Sequence, residues 1–103
     1  MAVKIIIRRK VGKDKEGRLL PLLIQLRALA AAQPGYISGE TLRNVDRPDD
    51  YLVISTWQSV DFWKTWISTR QRQEIQKKID DLLGVETQYD AYYYGGKRTN
   101  PGG

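Results

Sequence analysis

The chain has 103 residues, 41% of them apolar and 28% charged, with a formal net charge of +5; this length fits one domain that buries roughly 65% of its unfolded surface, and the balance is that of a globular chain rather than a disordered one. It contains no cysteine and no histidine, which excludes disulfides, thiolate nucleophiles, zinc held by the usual nitrogen and sulfur ligands, imidazole-ligated haem, and the Ser-His and Cys-His pairs of nucleophilic catalysis. Lysines and arginines are interspersed with acids except in "IRRKVGK" and "GGKRTN", so no nucleic-acid partner is expected, and no run approaches the ~18 apolar residues of a membrane span.

The start, "MAVKIIIRRKV", has too brief an apolar run for a secretory signal, and a cytoplasmic location is expected. Residues 3–11 alternate: Val3, Ile5, Ile7, Arg9 and Val11 share one face, and Lys4, Ile6, Arg8 and Lys10 the other. That predicts a first strand with one mainly apolar face. "GKDKEG" reads as a polar turn. Leu19, Leu22, Leu23, Leu26 and Ala30 then keep helical spacing, with Leu20, Ile24 and Leu29 widening the stripe. Pro21 has no N–H to donate, so it has to sit in the first turn or kink this helix. "QPGY" ends the helix.

Residues 36–44 read as a second strand, with Gly39 a candidate bulge. After the turn "VDRPDD", residues 51–57 are rich in β-branched and aromatic side chains and make a third strand. Ser59 is placed to cap a helix in which Phe62, Trp63, Trp66 and Ile67 follow at helical spacing. The signal resumes through Ile75, Ile79, Leu82 and Leu83 up to the stop at Gly84, with "STRQ" between as a break. "VETQYDAYYYG" is a fourth strand. Residues 96–103 are expected to be a disordered tail, which leaves one domain at residues 1–95.

The order β-α-β-β-α-β predicts an α+β, ferredoxin-like fold with an antiparallel sheet. Its helices cover one face. On the last strand Tyr92 and Tyr94 share one side and Ala91 and Tyr93 the other, so amphipathic residues point both ways. Nothing else in the chain covers the second face, so a homodimer, sheet against sheet, is expected.

Three local patterns, "AAAQPGYISGETL" at residues 30–42, "YLVISTWQSVDFWKTWI" at 51–67 and "YDAYYYG" at 89–95, resemble the antibiotic biosynthesis monooxygenase family, over nearly the whole chain. The resemblance implies a dimeric α+β barrel, each protomer carrying a pocket between sheet and helices. It also implies a cofactor-independent monooxygenase, without metal, acting on an aromatic phenol or quinol. In members that oxidise polyketide phenols, asparagine, tryptophan and tyrosine groups surround the ring. The electron-rich phenolate itself reduces dioxygen, and the protein holds it, stabilises its charge and excludes water. Here no asparagine occurs from residue 45 to 98. Trp66 matches the family tryptophan that lines the pocket. Haem-degrading members place a histidine where this chain has Gln76, and an asparagine in the first strand, which has none; haem degradation is therefore not expected.

The candidate pocket residues are Trp66, Trp63, Tyr36, Arg72, Gln76 and Tyr92, with Arg8 and Arg70 as further anion stabilisers and Tyr51 and Tyr93 as further hydrogen-bonding groups. No catalytic residue is singled out. Each has a plainer reading beside it: Trp57 and Phe62 as core, Arg70 and Arg72 as a solvated helix face, and the "YYY" tyrosines as dimer interface. Asp80 and Asp81 have no partner at acid–base spacing. The missing histidine, cysteine and acid–base pair favour a second function, a non-catalytic homodimer that binds an apolar or planar ligand.

Overall fold

Alternation in the first strand sets the layers. In the computed structural model, which describes residues 1–95, β1 (Val3–Lys10) lies inside a four-stranded sheet with β2 (Tyr36–Arg43), β3 (Asp50–Trp57) and β4 (Asp90–Tyr93), in the order β2-β3-β1-β4. Every pairing is antiparallel. Val3 faces Trp57, Ile5 faces Ser55, Ile7 faces Val53 and Arg9 faces Tyr51. These side chains share one face of the sheet, because residues directly opposite in a ladder point the same way. Onto that face pack α1 (Lys13–Ala31), α2 (Val60–Ile67) and α3 (Arg70–Leu83). The fold is the α+β, ferredoxin-like one that the order of elements predicts. No helix among the described residues is long and apolar enough to cross a membrane. The expected tail, residues 96–103, lies outside the described residues.

The core forms two clusters. At one end Val3, Ile5 and Trp57 of the sheet meet Ala30 of α1 and Trp66 of α2. At the other, Val11 and Tyr51 meet Leu19 of α1 with Ile75 and Ile79 of α3. Between them runs the cross-strand row Ile7, Val53 and Thr41, which belongs to neither cluster and is only half-buried. That gap becomes the cavity.

Four local readings change, and one, that of Pro21, is narrowed. The helix begins at Lys13, so "GKDKEG" is its first turn rather than a loop; Glu16 there accepts from Arg43 (2.7 Å) and from the Tyr51 hydroxyl (2.8 Å), which ties the turn to β2 and β3. Pro21 sits inside the helix, beyond its first turn. The bulge in β2 falls between Tyr36 and Ser38, while Gly39 pairs regularly with Ser55. β4 spans only Asp90–Tyr93, because Thr87 and Tyr89 are engaged with the helices. Phe62, read as core, is 38% exposed and packs over Gly35.

The break at "STRQ" is present and is built by side chains. Thr69 Oγ1 donates to the Trp66 carbonyl (2.9 Å) and accepts from the Arg72 amide (3.4 Å), so it closes α2 and caps α3 together. Ser59 caps α2 through the Phe62 amide (3.4 Å). The break turns the chain so that Trp66 and Arg72, on different helices, border the same space.

Candidate functional site

The gap between the core clusters is a cavity of about 80 Å³ lined by the sheet and all three helices. Its walls are aromatic. Trp57 and Trp66 stack with centroids 6.4 Å apart and planes 23° from parallel. Tyr36 stands edge-on to Trp57 at 5.4 Å, and Trp63 edge-on to Tyr89 at 5.7 Å. These are the offset and T-shaped arrangements that ring quadrupoles favour. Small residues leave the room: Gly39, Ser55 and Ala30 border the cavity. A Cβ on Gly39 would lie 2.5 Å from the Tyr36 hydroxyl, so glycine is what lets that hydroxyl lie over the strand. Ser55 also accepts from the Trp57 indole N–H at 3.1 Å, which fixes the ring.

One end of the cavity is polar. Arg9 (6% exposed), Arg72 (9%) and Gln76 (6%) border it. Gln76 Nε2 donates to Thr87 Oγ1 (2.6 Å) and to Asp80 Oδ1 (2.9 Å), and its Oε1 accepts from Arg72 at 3.3 Å. Thr87 accepts from Arg9 Nη1 (2.9 Å) and donates to Asp80 (2.5 Å). Arg72 reaches the Ile67 carbonyl at 3.5 Å and lies 5.1 Å from the centre of the Tyr89 ring. Arg9 Nε is buried without a partner; an unpaired buried donor costs about 1–3 kcal/mol. Burial lowers the proton affinity of both guanidiniums and the Asp80 charge works against this; Arg9 lowers that of Arg72 further. Both remain cations at neutral pH.

The structure brings Trp66, Trp63, Tyr36, Arg72 and Gln76 together around this cavity. Tyr92 does not join them. It pairs with Lys4 on the opposite face of the sheet and is 53% exposed. Arg8 is exposed on that opposite face, and Arg70 is exposed beside Glu74 at 3.8 Å. Tyr51 is buried in the other core cluster with its hydroxyl bonded to Glu16. Tyr93 is exposed at the sheet edge. Four residues escaped the sequence reading: Arg9, Tyr89 and Trp57 as lining, and Thr87 behind it. For Arg9 the signal was present, a cation inside an apolar alternating row. For Thr87 and Tyr89 there was none, since their partners lie on helices and on β1. Among the described residues no cluster of acidic side chains is arranged to hold a metal ion.

Residues 2–78 match the family model described as antibiotic biosynthesis monooxygenase. Protein SchA of Streptomyces halstedii is 18% identical over 81 residues, which is 79% of this chain; the chain spans only 21% of that protein's length. Among solved structures, SnoaB, a cofactor-independent oxygenase from Streptomyces nogalater, superposes with a TM-score of 0.81 at 17% identity, over 92% of this chain and 94% of that one. A conserved protein from Methanosarcina mazei Go1 gives 0.84 at 17% identity, over 92% and 94%. Rv0793 from Mycobacterium tuberculosis gives 0.81 at 14% identity, over 93% and 97%. At these identities the structural likeness establishes the shared fold.

Proposed function

Because this chain belongs to the antibiotic biosynthesis monooxygenase family, we propose that it is a cofactor-independent monooxygenase acting on a single-ring phenol or quinol. The observation that carries this reading is the cavity walled by Trp57, Trp66, Trp63 and Tyr36 between the two core clusters. An electron-rich ring slides along the stacked indoles, and the packed clusters on either side keep water out. Size sets the limit. About 80 Å³ is less than the ~150 Å³ that accommodates benzene in an engineered core. A single ring enters if the half-buried Leu23 and Trp63 give way; a polycyclic one does not.

In such a reaction the ring is its own reductant. A ring carbon that carries hydrogen, para to the hydroxyl in a phenol or ortho to one in a quinol, gains one oxygen atom of dioxygen as a carbonyl. The second oxygen leaves as water, taking the hydrogens lost from the O–H and from that C–H. Atoms and electrons then balance without a further donor. The protein's contribution is positional, with the Tyr36 hydroxyl as the polar group on the indole side of the cavity.

Oxygen uptake with a panel of single-ring phenols and quinols tests this. Consumption above the uncatalysed rate is expected, reduced by about 100-fold in Trp66→Ala, since misplacing the ring by an ångström has that order of effect. Uptake no faster than with Trp66→Ala would sink it. One observation favours the second reading, a non-catalytic binder: Asp80, the carboxylate nearest the cavity, is already engaged by Gln76 and Thr87. Ligand binding without oxygen uptake is the outcome that selects it. In either case we propose that the chain works as a homodimer through the uncovered sheet face.

A further inference from the structure

Arg9 and Arg72 are buried cations whose charge the protein leaves incompletely answered. The carboxylate bonded within their cluster, Asp80, meets them only through Gln76 and Thr87. Arg72's own hydrogen bonds are long, at 3.3 and 3.5 Å. The Arg9 Nε, on a side chain more than nine-tenths buried, has no partner, and the residue lines the cavity. Two arginines from different elements, β1 and α3, thus line a cavity whose other walls include indole rings, and one of them carries a donor that the protein leaves unpaired.

We propose that this end anchors a carboxylate carried by the aromatic ligand, one oxygen on Arg9 and the other on Arg72, with the ring lying along Trp57 and Trp66. Two guanidinium groups approaching from two sides suit an acceptor with two oxygens and a delocalised charge. A phenolate offers a single oxygen and leaves one cation unanswered. The ligand's negative charge also brings the cavity, with Arg9, Arg72 and Asp80, close to neutrality. The anchor rests on the aromatic-cavity reading above and adds the acidic group to it.

Titration of the full chain with benzoate and with its neutral isostere benzamide, followed by quenching of tryptophan fluorescence, tests the anchor without any turnover. Benzoate is expected to bind about tenfold or more tightly than benzamide. Arg9→Met and Arg72→Met should each bring the two ligands to parity, and Arg70→Met, which alters an exposed cation on the same helix, should leave the ratio unchanged. Arg9→Met puts an apolar side chain into an apolar row, so the variant is expected to fold with a raised thermal midpoint; if it does not fold, the wild-type ratio decides alone. Equal affinities, no binding of either ligand, or a preference that survives both methionine variants overturns the anchor. Oxygen uptake keeps this separate from the wider reading. If 2,5-dihydroxybenzoate binds in preference to hydroquinone but consumes no oxygen, the anchor stands and the oxygenase falls. If hydroquinone is consumed as fast as 2,5-dihydroxybenzoate, the oxygenase stands and the anchor falls.

Discussion

Gly35 carries two constraints at once. Its φ of +85° lies where an L side chain is strained, and a Cβ there would lie 2.3 Å from Cγ of Phe62. Its carbonyl accepts from the Gln58 amide at 2.7 Å, so the α1–β2 turn is pinned to the end of β3 beside the indoles. Gly35→Ala is expected to destabilise by about 2–4 kcal/mol, combining a backbone cost of about 1–2 kcal/mol with overpacking. The double variant Gly35→Ala/Phe62→Ala should recover only the overpacking part. Thermal denaturation reads both, and a double variant as stable as wild type would mean that backbone strain contributes nothing. At this scale the sequence was uneven. Spacing and the family resemblance pointed to Trp63, Trp66, Arg72 and Gln76. Tyr92 went astray because alternation divides a strand into two faces without saying which one the helices cover; the pairing of Val3 with Tyr93 and of Lys4 with Tyr92 decides that. Arg9 was visible in its apolar row, yet only the buried, unpartnered Nε gives it a role.

Helix α1 illustrates what element-level patterns miss. Its first turn, from Lys13, contains no apolar residue, so periodicity had nothing to register there. The turn forms nonetheless: the Lys15 and Glu16 amides bond to the Gly12 carbonyl (3.0 and 3.2 Å), Asp14 and Glu16 suit the positive end of the helix, and Glu16 is held by Arg43 and Tyr51. Farther along, Pro21 is exposed inside the helix and leaves the Gly17 carbonyl without its i+4 donor. A proline in a helix interior costs about 3 kcal/mol relative to alanine, offset by about 0.4–1 kcal/mol from the stiffer unfolded chain. Pro21→Ala is therefore expected to stabilise by about 1–3 kcal/mol, or roughly 4–8 °C for each kcal/mol in a domain of this size. Denaturation at matched protein concentration checks it, and an unchanged midpoint would show that packing, not the ring, sets the course of the helix. The β4 reading failed in the opposite sense. Residues 85–89 look like strand, but long-range bonds from Thr87 to Gln76, Asp80 and Arg9 draw them out of the ladder.

The whole molecule is a slab 19 Å through its thinnest dimension, the thickness of one sheet plus one helix layer. All three helices lie on the side of Val3 and Trp57. On the other side Ile6, Leu52, Ile54, Leu42 and Tyr92 form an apolar band with no element of the described chain over it, and Leu42 and Tyr92 are 44% and 53% exposed. Lys4, Arg8 and Lys10 stand on that face together with Glu40, Asp50 and Asp90, so both signs of charge are present and a twofold pairing can set one against the other. A second copy is the occupant that matches such a surface in apolar character and in charge, which is the basis of the homodimer proposed above. Leu52→Lys places an unpaired ammonium in the centre of the band. It is expected to weaken association by about 2 kcal/mol or more, roughly 30-fold. Sedimentation equilibrium over a micromolar concentration series measures this, with wild type at twice the chain mass and the variant shifted toward the monomer. Apart from Ile54 the cavity takes no residue from this face, so a monomeric variant should still bind benzoate. Wild type that runs as a monomer throughout the series removes the dimer while leaving the cavity, and the chemistry proposed for it, untouched.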